Sequence, residues 1–128
     1  MVALHVMIAW VGIFLGFVSG AVMGLFFRQP DWLGGYASWA RRMVRLGHIS
    51  FFGMACVNFA YALTIIVGPL KAAPVLPWAS GLLVAGAVGM PLFCFLAAWR
   101  AYFRHLFFIP VLCLLVSAGA VLICLCAA

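Results

Sequence analysis

The sequence holds a single carboxylic side chain, Asp31, in 128 residues, and only 6% of its positions are charged. That scarcity excludes whole classes of chemistry. Hydrolysis by paired carboxylates, aspartic proteolysis and magnesium-dependent phosphoryl transfer each need two or more acids in one site. Proton-coupled pumps and exporters keep an acid inside a span, whereas Asp31 follows Arg28-Gln29-Pro30, outside any apolar run. Cysteine pairs are missing as well. Cys56, Cys94, Cys113, Cys124 and Cys126 include no Cys-x2-Cys and all fall in apolar runs, so they read as small packing residues rather than a zinc ribbon or thiol redox loop. Polar surface is also in short supply: 70% of the residues are apolar, against about 45–50% in an ordinary soluble domain. A water-soluble globule of this composition could not cover itself.

What the sequence does have is length in its apolar runs. A bilayer core of about 30 Å is crossed by about 20 residues of helix at about 1.5 Å each. Spans are expected at about 2–27, 46–67, 78–98 and 106–127, forming a single membrane domain over residues 1–128. The first run lacks a positively charged leader and is too long for the apolar part of a cleavable signal, so it reads as a retained span. Pro91 falls inside the third run as an expected kink, and Pro110 in the first turns of the fourth, where a missing N–H does least harm. The expected fold class is an all-α integral membrane protein, a bundle of four transmembrane helices.

The basic residues orient it. Arg28, Arg41, Arg42 and Arg45 lie in the first connection, Lys71 in the second, and Arg100 and Arg104 in the third. With four spans, the first and third connections share a side, and cytoplasmic loops carry the excess of Lys and Arg. The N- and C-termini are therefore expected on the non-cytoplasmic side. Trp32, Tyr36, Trp39, Trp99, Tyr102 and Phe103 gather where the inner aromatic belt belongs. The net charge of +6 flanks membrane spans, which makes anionic lipid, not nucleic acid, the matching partner.

The first span carries glycines at every fourth position, Gly12, Gly16, Gly20 and Gly24. Small residues in one groove let a neighbouring backbone approach closely, and this spacing predicts a helix-packing face. The third span offers Gly81-x3-Ala85-x3-Gly89 as a shorter match.

Three histidines are the candidate chemistry. His48 and His105 open the second and fourth spans at equal depth on the arginine side. Two imidazoles so placed suit the axial ligation of a b-type haem, with Arg41, Arg45 and Arg104 as candidate propionate partners. His5 stands near the opposite surface, where a hydrogen-bonded or partner-facing ring is expected. Asn58 and Tyr61 lie one turn apart and predict interhelical hydrogen bonds, in the polar stretch that Thr64 completes.

The functional expectation is a small non-catalytic integral membrane subunit of a larger complex, of the respiratory or photosynthetic electron-transfer kind, packing through its glycine-rich helix faces. Its partners would be the lipid bilayer and other membrane subunits, in a hetero-complex or homo-oligomer. The alternative is a b-haem electron carrier using His48 and His105, and a weaker one is a small channel or transporter. The membrane expected is the inner membrane of a bacterium.

Overall fold

The computed structural model describes residues 1–68 and 74–127. It contains four α-helices among the described residues: α1 Val2–Leu25, α2 Trp39–Val67, α3 Leu76–Trp99 and α4 Phe108–Cys126. All four are long and apolar enough to cross a membrane. Lys71 lies outside the described residues.

The helix starts follow local chemistry. Ser38 caps α2, its Oγ accepting from the Arg41 backbone N–H at 3.2 Å, one of the four donors that a helix start leaves unpaired. With that cap, α2 begins at Trp39, seven residues before the expected start at Leu46. The basic stretch Arg41–Arg45 is thus helix, not connector. Pro77 occupies the first turn of α3, where its ring fits the required φ. The third connection is a 3-10 helix, Ala101–Leu106, and α4 starts late enough to place Pro110 in its first turn.

Successive helices run antiparallel. Near the arginine end, the Trp39 indole N–H donates to the Ala97 carbonyl at 2.9 Å, joining the start of α2 to the end of α3. At the other end, the Tyr61 hydroxyl donates to the Leu76 carbonyl at 2.8 Å, and the Ser117 hydroxyl to that of Ala79 at 2.8 Å. The dense seams are α1–α2, α2–α3 and α3–α4. In α2 and α3, 33% of the most apolar stretch is buried, against 11% in the first and fourth spans. The middle pair is therefore the core, and α1 and α4 are flanking helices turned largely outward.

Glycine sets two of these seams. A Cβ at Gly12 would stand 3.0 Å from the Phe51 carbonyl oxygen, and one at Gly16 would stand 2.6 Å from the Phe52 ring. At Gly20 it would meet the His48 ring at 2.9 Å, whereas at Gly24 it would meet nothing within 4 Å. On α3, the residues that receive α4 are Gly86, against Leu114, and Gly89, against Pro110. Of the expected four-residue series on α3, Gly89 meets α4 but Gly81 and Ala85 are exposed, so only its arginine end lies on the packed face. Close approach of this kind supplies the van der Waals contact that holds helices together in lipid.

Candidate functional site

The polar side chains inside the bundle gather in two places, one toward each end. At the end away from the arginines, His5 is fully buried. Its Nδ1 lies 2.7 Å from Asn58 Oδ1 and its Nε2 lies 2.8 Å from Ser80 Oγ. The Asn58 amide group donates to the Met54 carbonyl at 2.8 Å, which fixes Oδ1 as the acceptor. His5 Nδ1–H therefore donates to Asn58, and Nε2 accepts from the Ser80 hydroxyl. The Tyr61 ring closes the cluster, with its centroid 4.4 Å from that of His5. One imidazole thus ties α1 to α2 and α3. Asn58 and Tyr61 make the interhelical bonds their spacing predicts, while Thr64 bonds its own helix at Ala60.

The second cluster is built on the connection between α1 and α2. Leu33 (φ 56°), Gly34 (φ 84°) and Gly35 (φ 95°) take the left-handed backbone that turns the chain sharply, a conformation open to glycine and strained for leucine. Ser38 pins the turn by donating to the Leu33 carbonyl at 2.7 Å while capping α2. The turn carries Trp32 and Tyr36 back over the first turns of α2. The Arg41 guanidinium carbon lies 5.4 Å from the Trp32 ring centroid and 5.2 Å from that of Tyr36. Arg45 lies 4.5 Å from the same Tyr36 ring and donates to the Tyr36 carbonyl at 3.3 Å. Such contacts stabilise a cation by the negative face of the ring.

Arg41, Arg45 and His48 line one cleft of about 280 Å³, whose other wall is the end of α1 from Gly20 to Phe27. The Ser19 hydroxyl donates to the Gly16 carbonyl at 3.0 Å, and His48 Nδ1 lies 2.9 Å from Ser19 Oγ. Since that hydroxyl proton is already used, His48 Nδ1–H is the donor in the second bond, which leaves the Nε2 lone pair facing outward from it.

His105 lies elsewhere. It is exposed on the 3-10 helix, beside Tyr102 and within 3.4 Å of the Arg104 Nε–H, and neither His105 nor Arg104 lines the His48 cleft. His48 faces α1, whereas the adjacent Gly47 faces Phe95 and Cys94 of α3. The structure therefore brings together His48, Arg41 and Arg45 in one cleft, whereas His105 and Arg104 do not line it. Among the described residues, no group of three or more His, Cys, Asp or Glu is placed to hold a metal ion. A hydrogen-bonded His5 and interhelical bonds from Asn58 and Tyr61 were each expected; that they form one cluster with Ser80 was not legible, because His5 lies 53 and 75 positions from its partners.

Compared with known protein families, curated proteins and solved structures, the chain matches none.

Proposed function

We propose that this chain is a small, non-catalytic, multi-pass subunit of a larger membrane assembly, set in a bacterial inner membrane with its arginine end toward the cytoplasm. The observation that carries this reading is how the intramembrane polar groups are used. His5, Asn58, Ser80, Tyr61 and Ser117 all bond one another or backbone carbonyls within the bundle. A reacting or transported group would find them already engaged, and polar side chains so used act as glue between helices.

What remains for a partner is surface. Gly12, Gly16 and Gly20 pack against α2, and Gly86 and Gly89 against α4, so the glycine faces are occupied within the chain. Between α2 and α4 a groove of about 440 Å³ stays open, walled by Val57, Ala60, Leu114 and Ala118, with Tyr61 and Ser117 also lining it. A helix of another subunit, or of a second copy, fits such a groove better than a soluble partner does.

Blue-native electrophoresis of membranes solubilised in mild detergent tests this. The chain is expected to migrate in a species well above its own 13.8 kDa. Ala60→Trp or Ala118→Trp, which fill the groove, should release it as a smaller, still helical species. A groove variant that stays in the same large species, or a wild-type chain that runs alone, would contradict the proposal.

A further inference from the structure

We propose that the cleft formed by α1, α2 and their connection binds an anionic phosphoryl group, that of a lipid headgroup in the leaflet at the arginine end. Charge is the first reason. Arg41 and Arg45 both line the cleft, and the chain has one carboxylate to set against its seven Lys and Arg. Asp31 cannot neutralise both guanidiniums, so the cleft keeps net positive charge even with His48 neutral.

Burial is the second. Arg41 is only 5% exposed, and a buried cation without an anion is costly unless dipoles or ring faces compensate it. The Trp32 and Tyr36 rings do part of this, and Nη1 donates to the Pro30 carbonyl at 3.5 Å, a long bond. None of these partners carries the negative charge that a guanidinium fork is shaped to meet.

Geometry and shape complete the case. Arg41 and Arg45 rest against the same Tyr36 ring, at 5.2 and 4.5 Å, so one rigid platform holds both forks beside one cavity. The opposite wall is apolar, with Met23 and Phe27, and it contains Gly24, where a Cβ would meet nothing within 4 Å. A cationic mouth beside an apolar, open wall matches a phosphodiester with its glycerol and first methylenes. A free phosphate would leave that wall unused, and a neutral ring headgroup would leave both charges unmatched. The site also lies at a helix end, the depth at which headgroups sit.

The test is lipid retention by the delipidated full chain in nonionic detergent, followed by native mass spectrometry. Phosphatidylglycerol, phosphatidylcholine and inorganic phosphate serve as probes. Phosphatidylglycerol is expected to bind at least about tenfold more tightly than phosphatidylcholine, as one charge-assisted contact allows. Arg41→Gln and Arg45→Gln should each remove that preference, while Arg41→Lys, which keeps the charge, should retain part of it. Arg45 is only half-buried and does not share the Trp32 contact, so Arg45→Gln reads the site even where Arg41→Gln fails to fold. Arg100→Gln, at the same end but outside the cleft, should leave the preference intact. Equal loss in Arg100→Gln would reduce the effect to general surface charge and overturn the site. Millimolar inorganic phosphate displacing the lipid fully would overturn the lipid as its source, and no preference in the wild-type chain would overturn both.

Discussion

His5 on α1 and Asn58 on α2 meet at 2.7 Å, side chain to side chain, in the buried interior of a helix bundle. Ser80 of α3 completes the contact from the other side of the imidazole at 2.8 Å. The ring is the one histidine that touches three helices, and its bonds fix their rotation and depth relative to one another.

Removing it should loosen the bundle. His5→Ala leaves Asn58 Oδ1 and the Ser80 hydroxyl without their partner, and an orphaned buried polar group costs about 1–3 kcal/mol. Hydrogen bonds between membrane helices lie toward the low end, about 0.6–2 kcal/mol. Thermal unfolding in detergent, followed by circular dichroism, should show a clear loss for His5→Ala and Asn58→Leu. Leu4→Ala, at an exposed position one residue away, should change little. Equal midpoints for all three variants would mean that the cluster is not a structural tie.

The glycines divide by what stands opposite them. Gly12→Leu and Gly16→Leu drive a side chain into the Phe51 carbonyl and the Phe52 ring, and overpacking of this kind costs about 1–3 kcal/mol. Gly86→Leu should do the same against Leu114, while Gly24→Leu and Gly81→Leu enter open space. Recovery of folded, monodisperse protein by size-exclusion chromatography should separate the first three from the last two. Gly12 is the strictest position, because a backbone carbonyl has less freedom to move aside than a phenylalanine ring.

Those differences show where the sequence was readable and where it was not. The number of spans followed from run length, since only helices and closed barrels satisfy the backbone in hydrocarbon and apolar runs of about 20 residues match a helical crossing. Which face each helix buries did not follow. α1 and α3 are apolar nearly all the way round, so no polar stripe marks the outward side, and regular spacing was the remaining guide. It pointed to Gly12, Gly16, Gly20 and Gly24 on α1, of which the first three face α2 and Gly24 meets open space. On α3 it pointed to Gly81, Ala85 and Gly89; Gly89 does pack against Pro110 of α4, whereas Gly81 and Ala85 face outward and Gly86 takes the other close contact.

The histidines show the same limit. His48 is the tenth residue of α2, whereas His105 lies on the 3-10 connection before α4 and is not among the residues lining the His48 cleft. Arg41 and Arg45 join His48 because all three sit on α2, at four- and three-residue steps, a shared helix that exists only because α2 starts at Trp39, ahead of the expected start at Leu46 that left both arginines in the connector. The turn that lays Trp32 and Tyr36 over these arginines depends on a left-handed Leu33, a conformation that leucine gives no reason to expect.

The account rests on four crossings with the arginines gathered in one compartment, and cysteine accessibility measures that directly. In a chain whose five native cysteines are replaced by alanine, single cysteines at Ala37, Pro74 and Ala101 mark the three connections. In intact cells, a membrane-impermeant maleimide should label the Pro74 position alone, and the Ala37 and Ala101 positions should react only after the membrane is opened. Labelling of Ala37 and Ala101 from opposite sides, or of Pro74 from the same side as either, would contradict the four-span arrangement.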